Sequence, residues 1–576
     1  MRKLDPRWRQ RREAMQARYA ELSGLPDASR LAYLHGPARR WTGDEVSEMW
    51  ARAIGEPASD VPTLNNVYLH VPFCKSVCSF CNYERIKPSA PGLLEAYTRR
   101  VVDSLETLAP VVRPLSFHAF YIGGGTPSVL PPRLLEPLLE AFDRLLTWAD
   151  GASRHIEFDP QVMNPAKLRV LQRHGFEYFS FGIETLDVSV NQLHNRGRQD
   201  RAVVEARFED FREAEIDNLA CDFLVGLKGT SPEQVLEEIE EVVATHRPAR
   251  VDIYMLTPTE AYLESHFGGD REAFWHHMGP FEAQVPPGLE ALSGRTGYVL
   301  AGGQGHHLQL HRPEHERARL RARHSYTTLV HQAKRPLHVL GFGPSARSQI
   351  FGQASFEARD PAHESDQADG RTWYRGHAID LAGECRSYLV HALRDQDAVD
   401  RDAFRAAFGH DIEAVFPVAV AAWGERGDAR LEADALRFRP MTRRERTAAL
   451  LWLVPDDALE FEVARRQGLD LSEEGLDHLV RLSPDTALAA PFRYAGRERQ
   501  RLIVRSDRGS HQLRIAPDLD PSKRLRLVLE GSLPQEEQRA PLKRSIAVLT
   551  KLLRSWHSPA VRADRPRSPA PAAPDR

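Results

Sequence analysis

The chain has 576 residues, 27% of them charged and 42% hydrophobic, with a formal net charge of −3. That length predicts two or more globular domains. The near-neutral balance gives no whole-chain argument for nucleic acid or a membrane surface.

No run of eighteen apolar residues occurs, so no transmembrane helix is expected. The N-terminal stretch "MRKLDPRWRQRREAMQARYAEL" is charged and helical in pattern, without the apolar core of a signal peptide. Five cysteines in the whole chain make no disulfide framework, and the expected location is a reducing cytoplasm. Residues 1–62 are read as a helical extension.

The next segment, "NVYLHVPF", has the character of a strand, and it runs straight into "CKSVCSFCNYE". Cys74, Cys78 and Cys81 fall within eight residues. Structural zinc takes four ligands, often as two separated pairs. A C-x3-C-x2-C loop offers three thiolates from one turn, which suits three irons of a 4Fe–4S cubane. The fourth iron is then left open for a small molecule.

Beyond the cysteines, short apolar runs alternate with helical patterns. The predicted strands are "VYLHVPF", "FHAFYIGG", "HIEFDP", "YFSFGIE", "NLACDFLVGL" and "RVDIYMLT". Between them lie helical stretches such as "LLEAYTRRVVDSLETLAP", "PRLLEPLLEAFDRLLTWA" and "SPEQVLEEIEEVVATH". Such alternation predicts an α/β fold with a parallel sheet and crossover helices. Six units suit an open barrel with its site at the C-terminal strand ends.

The candidate motifs fall at those ends. In "YIGGGTP", Gly123, Gly124 and Gly125 precede Thr126, and glycines let the backbone approach a ligand. "HIEFDP" places Glu157 and Asp159 two residues apart, on one face by strand alternation. "SFGIETLDVSVNQLHNRGR" carries Glu184 and Arg196, whose guanidinium fits a carboxylate. "LACDFLVGLKGT" carries Asp222, with Cys221 on the opposite face as a packing residue. "GQGHHLQLHRPEH" holds His306, His307, His311 and His315. A spacing of four could align three of them on a helix, but Pro313 interrupts it, and a polar loop is the preferred reading.

Cys74-x3-Cys78-x2-Cys81 resembles the signature of the radical S-adenosylmethionine (SAM) superfamily. The flanking "YLHVPFC" looks like the branch of the oxygen-independent coproporphyrinogen III oxidases, the HemN-like proteins. The resemblance implies a partial (β/α)6 barrel and a 4Fe–4S cluster on the three cysteines, with SAM on the open iron. Reductive cleavage of SAM then starts radical chemistry, with a donor such as flavodoxin or ferredoxin supplying the electron. By this resemblance Tyr68, Gly123, Gly124, Gly125, Thr126, Glu157, Glu184, Arg196 and Asp222 place SAM, as one molecule or two. "LGFGPSARS", Leu340 to Ser348, matches a later glycine-rich loop of the family.

Some positions depart from the pattern. Glu184 replaces the usual glutamine, Lys228 stands where proline is common, and Ser345 and Arg347 replace glycine and histidine. Tyr83 occupies the place of a further cysteine found in coproporphyrinogen oxidases of this type. Their N-terminal tyrosine-proline motif has no counterpart in residues 1–60. These departures argue against coproporphyrinogen itself as substrate. Relatives include haem chaperones, haem-degrading enzymes and C-methylating or cyclopropane-forming enzymes.

The barrel is expected over 63–370 and a small helical, winged-helix-like domain over 371–455, with Cys385 a packed thiol. An added α+β domain is expected over 456–556, with strands "RLIVRS", "HQLRIA" and "RLRLVLEG" and a closing helix "RAPLKRSIAVLTKLLRSW". From Pro491 to Trp556 there are fifteen Lys and Arg against seven Asp and Glu. A solvated basic surface is the simpler reading, and a nucleic-acid partner the alternative. Residues 557–576 are proline-rich and read as a disordered tail.

Three functional readings follow. One is an enzyme that cleaves SAM and begins hydrogen abstraction, leading to oxidation or C-methylation of a porphyrin-like or natural-product small molecule. Another is a haem-binding chaperone on the same fold with little SAM turnover. An iron–sulfur protein acting on nucleic acid through its basic C-terminal domain is a third.

Overall fold

The computed structural model describes residues 6–24, 28–36, 38–83, 85–88, 90–197, 199–301, 307–316, 330–359 and 373–466, together with three strands at 502–506, 509–517 and 525–530. The chain divides into two compact units, 40–376 and 1–39 with 377–576.

The unit 40–376 is built on a thirteen-stranded sheet. Its strands in chain order are β1 (Arg39–Trp41), β2 (Leu64–Val71), β3 (Ser116–Gly124), β4 (Thr147–Phe158), β5 (Tyr178–Glu184), β6 (Leu219–Val225), β7 (Arg250–Met255), β8 (Val299–Ala301), β9 (His307–His311), β10 (Leu337–Phe342), β11 (Arg347–Ile350), β12 (Ala354–Arg359) and β13 (Trp373–Ala378). The central run β10-β2-β3-β4-β5-β6-β7 is parallel throughout. The neighbours of β7 and β10 on the outer sides, β9 and β11, are antiparallel.

The parallel run follows from composition. Strands covered on both faces need continuous apolar sequence, and seven of the eight residues of β2 are buried. Crossover helices supply the cover: Leu93–Val112, Pro132–Leu145, Pro165–Arg173, Arg201–Glu213 and Pro232–His246. Their starts are fixed locally. Asn164, Asp200 and Ser231 each accept a backbone N–H of the first turn, the usual N-cap arrangement. Phe120, Phe142, Phe176 and Trp148 pack together against this layer, as do Phe158, Phe181 and Phe211.

All six predicted barrel strands form, and "YFSFGIE" matches β5 residue for residue. Two features differ from expectation. A seventh parallel strand, β10, pairs with β2 and brings the 340–348 glycine segment beside the end of β2. Gly343 lies at φ 89°, and a Cβ there would meet His70 O. The histidine segment is the second correction: His307–His311 is strand β9, paired antiparallel with β7, and Pro313–His315 is a short 3-10 turn. The alternation His-Leu-Gln-Leu-His has period two, which the four-residue spacing of the histidines concealed. His306 lies outside the described residues.

In the other unit, Pro6–Ser23 is helical, as its pattern predicts. The buried Arg12 donates to Asp456 and to the carbonyls of Leu451 and Val454. Ala398–Asp400, Ala435–Phe438 and Ala429–Leu431 make a three-stranded sheet. Trp423 lies buried against Phe438 and donates to Ala449 O at 2.8 Å. Cys385 is buried. The strands 502–506, 509–517 and 525–530 form an antiparallel sheet. The expected closing helix and tail lie outside the described residues.

Candidate active site

The C-terminal ends of β2 through β7 share one rim, the usual place for a site in such folds. A cavity of about 390 Å³ opens there, large enough for a small-molecule ligand. Cys74, Cys78 and Cys81 line it, and so do Gly124, Gly125, Thr126, Glu157, Glu184, Arg196 and Asp222. Of the residues singled out in the sequence, Tyr68 and Gly123 stand behind this lining.

The cysteine loop leaves β2 at Val71 and is tied down by backbone bonds. Ile86 N–H donates to Pro72 O at 2.7 Å, Cys74 N–H to Ile86 O at 3.0 Å, and Thr126 N–H to Phe73 O at 2.7 Å. Arg85 donates to the carbonyls of Cys81 and Tyr83. Gly125 passes so close that a Cβ would lie 2.8 Å from Cys74 Sγ and 2.9 Å from Phe73 O. Gly124 adopts φ 113°, and a Cβ there would lie 2.9 Å from the His70 ring. The glycines are thus required by close approach to the thiol loop.

Behind them is a column of aromatic and polar groups. Tyr68 stacks on Tyr121 with centroids 5.8 Å apart, and its hydroxyl pairs with His70 Nδ1 at 2.8 Å. The Tyr121 hydroxyl donates to Glu157. Tyr68 therefore acts on the rim through its neighbours.

The charged groups are unevenly distributed. Glu157, Asp159, Glu184 and Asp222 face the cavity, with Arg196 and Arg85 as its cations. Burial holds Glu157 and Glu184 above the usual carboxylate range. For Asp222 burial is again the largest cause, joined by repulsion from Asp252, and its pKa lies well above normal. Asp252 is directly opposite on β7. Arg250, His307 and Gln309 surround it at 2.5 to 2.9 Å and hold it ionised near pKa 2 against the opposing effect of burial. Asp222 lacks comparable support: among the described residues its side chain makes no hydrogen bond or ion pair, and only the charge of Arg250 favours its ionised form.

Arg196 links three parts of the rim. It donates to Gly182 O at 2.5 Å and stands 3.4 Å from Glu184 and 3.9 Å from Cys78 Sγ. Burial opposes its charge, but Glu184 and Cys78 outweigh that effect and raise its pKa. Glu184 itself adopts φ 61°, beside a register shift between β5 and β6. A non-glycine residue in the left-handed region is strained, and such residues gather at functional sites. Burial also pushes the Cys78 thiol to about 11.

Ser180, Leu256 and Thr257, which carry no strong sequence signal, also line the cavity, as do Tyr83 and Tyr254. Tyr254 stacks face to face on His307, with centroids 4.4 Å apart. Its position at the end of a barrel strand was the available clue.

The donor set suits an iron–sulfur cluster. Among the described residues, no three His, Cys, Asp or Glu side chains converge on one point as a mononuclear ion requires. Thiols that line a common cavity without converging fit a cubane, where each holds a different iron. The bare Asp222 carboxylate and the acidic rim fit a cationic ligand beside it.

Residues 68–242 match the radical SAM superfamily, and the chain is similar to HemN-like radical SAM proteins. It is 25% identical over 451 residues to the oxygen-independent coproporphyrinogen III oxidase of Paracoccus denitrificans, covering 72% of this chain and 94% of that one. It is 22% identical to the heme chaperone HemW of Bacillus subtilis, covering 63% and 92% respectively. The solved coproporphyrinogen III oxidase HemN of Escherichia coli shares the fold, with TM-score 0.54 at 18% identity, over 70% of this chain and 92% of that one. Membership of the superfamily implies a 4Fe–4S cluster and SAM. No helix among the described residues is long and apolar enough to cross a membrane.

Proposed function

We propose that this protein is a radical SAM enzyme acting on a small molecule. Cys74, Cys78 and Cys81 hold the cluster, and the remaining rim residues hold SAM. The observation that carries this reading is the gathering of the three thiols, the Gly124–Thr126 turn and the acidic rim on one cavity. When bound, the cluster and SAM supply an electron and a 5′-deoxyadenosyl radical that abstracts hydrogen from the substrate.

The chain's own part is orientation and exclusion of water. Glu157, fixed by Tyr121, and the unbonded Asp222 offer acceptors to hydroxyl and ammonium groups of SAM. Arg196 offers its guanidinium to the SAM carboxylate. The glycine turn gives backbone contact at close range. Tyr83 and Tyr254 present neutral aromatic surface where the substrate's reacting carbon must enter. Tyr83 in place of a further cysteine favours a substrate other than coproporphyrinogen. An external one-electron donor of the flavodoxin or ferredoxin kind completes the reaction.

The test is mass spectrometry of nucleosides formed from SAM by protein reconstituted anaerobically with iron and sulfide and reduced with dithionite. 5′-Deoxyadenosine is expected, and Cys78→Ala should form none. S-Adenosylhomocysteine alongside it assigns methyl transfer. The similarity to HemW supports the haem-chaperone reading as the second one. A full cluster with no SAM cleavage, together with stable haem binding, would establish it instead.

A further inference from the structure

Ser79, between the second and third cysteines, is held from two sides by imidazoles. Its Oγ lies 2.9 Å from His194 Nδ1 and 3.0 Å from His266 Nε2, and its N–H donates to His194 O at 3.0 Å. His194 Nε2 lies 2.9 Å from Lys228 O. These partners fix every proton in the chain. A carbonyl can only accept, so His194 carries its proton on Nε2 and accepts at Nδ1. Ser79 must therefore donate to His194, and its remaining lone pairs accept from His266 Nε2–H. Burial lowers the pKa of both imidazoles, which keeps the neutral forms this pattern needs.

The supporting elements are the helix Val188–Leu193, which ends at His194, the helix Glu260–Phe267, which carries His266, and the turn after β6. Tyr262 locks them together. Its ring lies 5.6 Å from that of His194 and 4.6 Å from that of His266, and its hydroxyl accepts from Lys228 N–H at 3.0 Å. Phe80 of the cysteine loop packs on His194 at 6.0 Å. The charged and titratable groups around the relay are His194, His266, Lys228 and Tyr262. Two separate segments thus grip one serine whose neighbours in sequence are Cys78 and Phe80, and the turn after β6 braces that grip through His194 and Tyr262.

We propose that the His194–Ser79–His266 relay is a positioning device for the cysteine loop and sets the reduction potential of the bound cluster. Hydrogen bonds to cluster sulfur stabilise the more negative, reduced form and raise the potential. The grip commits the Ser79 N–H to His194 O and keeps it from sulfur. Loosening the grip frees that donor and shifts the potential upward.

The experiment compares wild-type, Ser79→Ala, Ser79→Thr and His266→Ala full-length proteins, reconstituted anaerobically without SAM. Iron and sulfide are counted per chain, and the potential is found by a titration followed by electron paramagnetic resonance. Ser79→Ala should change the oxidised-to-reduced ratio at fixed potential about tenfold, a rise of about 59 mV for one electron. Ser79→Thr keeps the hydroxyl and should stay near wild type, and His266→Ala should fall between. A wild-type potential in both Ser79→Ala and His266→Ala overturns the assignment. Equal shifts in Ser79→Thr and Ser79→Ala also overturn it, by assigning the effect to packing. The assignment rests on the radical SAM reading, and the two fail differently. Wild-type protein that takes up no cluster removes that reading, whereas a loaded wild type with unresponsive variants removes only the relay.

Discussion

At the scale of single residues, the site is governed by buried carboxylates with unequal support. Asp222 has a raised pKa in the folded chain. A raised folded pKa contributes stability below the unfolded value that is lost as pH rises towards the folded one. Asp222→Asn removes that loss. The cofactor-free variant should therefore melt above wild type at pH 8, with the gap closing towards pH 4, and thermal melting across that range checks it. Arg196→Ala acts in the opposite direction. Glu184 loses its cation and its pKa climbs further, so the penalty grows as pH rises. Because Glu184 can take up a proton, the cost at pH 8 should be about 1–3 kcal/mol, below that of a wholly buried broken pair. Urea unfolding at pH 5 and pH 8 measures it, and equal losses at both would contradict the account. The sequence made Arg196 and Asp222 visible as charges near strand ends. It did not reveal that Asp252, with three partners, faces an Asp222 that has none, because that contrast arises from register across β6 and β7.

At the scale of elements, the parallel strands were legible because burial on both faces demands unbroken apolar runs. The short edge strands were not. In β9, alternating His and Leu reads equally as a polar loop, and only pairing with β7 decides it. The glycine turn was legible as a place of close approach, but its partner was not, since Cys74 is 51 residues from Gly125 in sequence. That contact yields a direct prediction. Gly125→Ala places a methyl group against Cys74 Sγ and the Phe73 carbonyl, and the thiol loop must move. Iron bound after reconstitution should fall several-fold, while the far-ultraviolet circular dichroism stays close to wild type.

At the scale of the whole molecule, every residue lining the cavity falls between Cys74 and Thr257, inside the unit 40–376. A chain ending at Arg466 should thus keep wild-type cluster content and 5′-deoxyadenosine formation. Loss of SAM cleavage in that truncation would assign residues 467–576 a part in the chemistry. The contiguity has a consequence for descent as well. Recombination that exchanges sequence on either side of the cavity segment leaves its lining residues, Tyr83 and Tyr254 among them, intact as one inherited block.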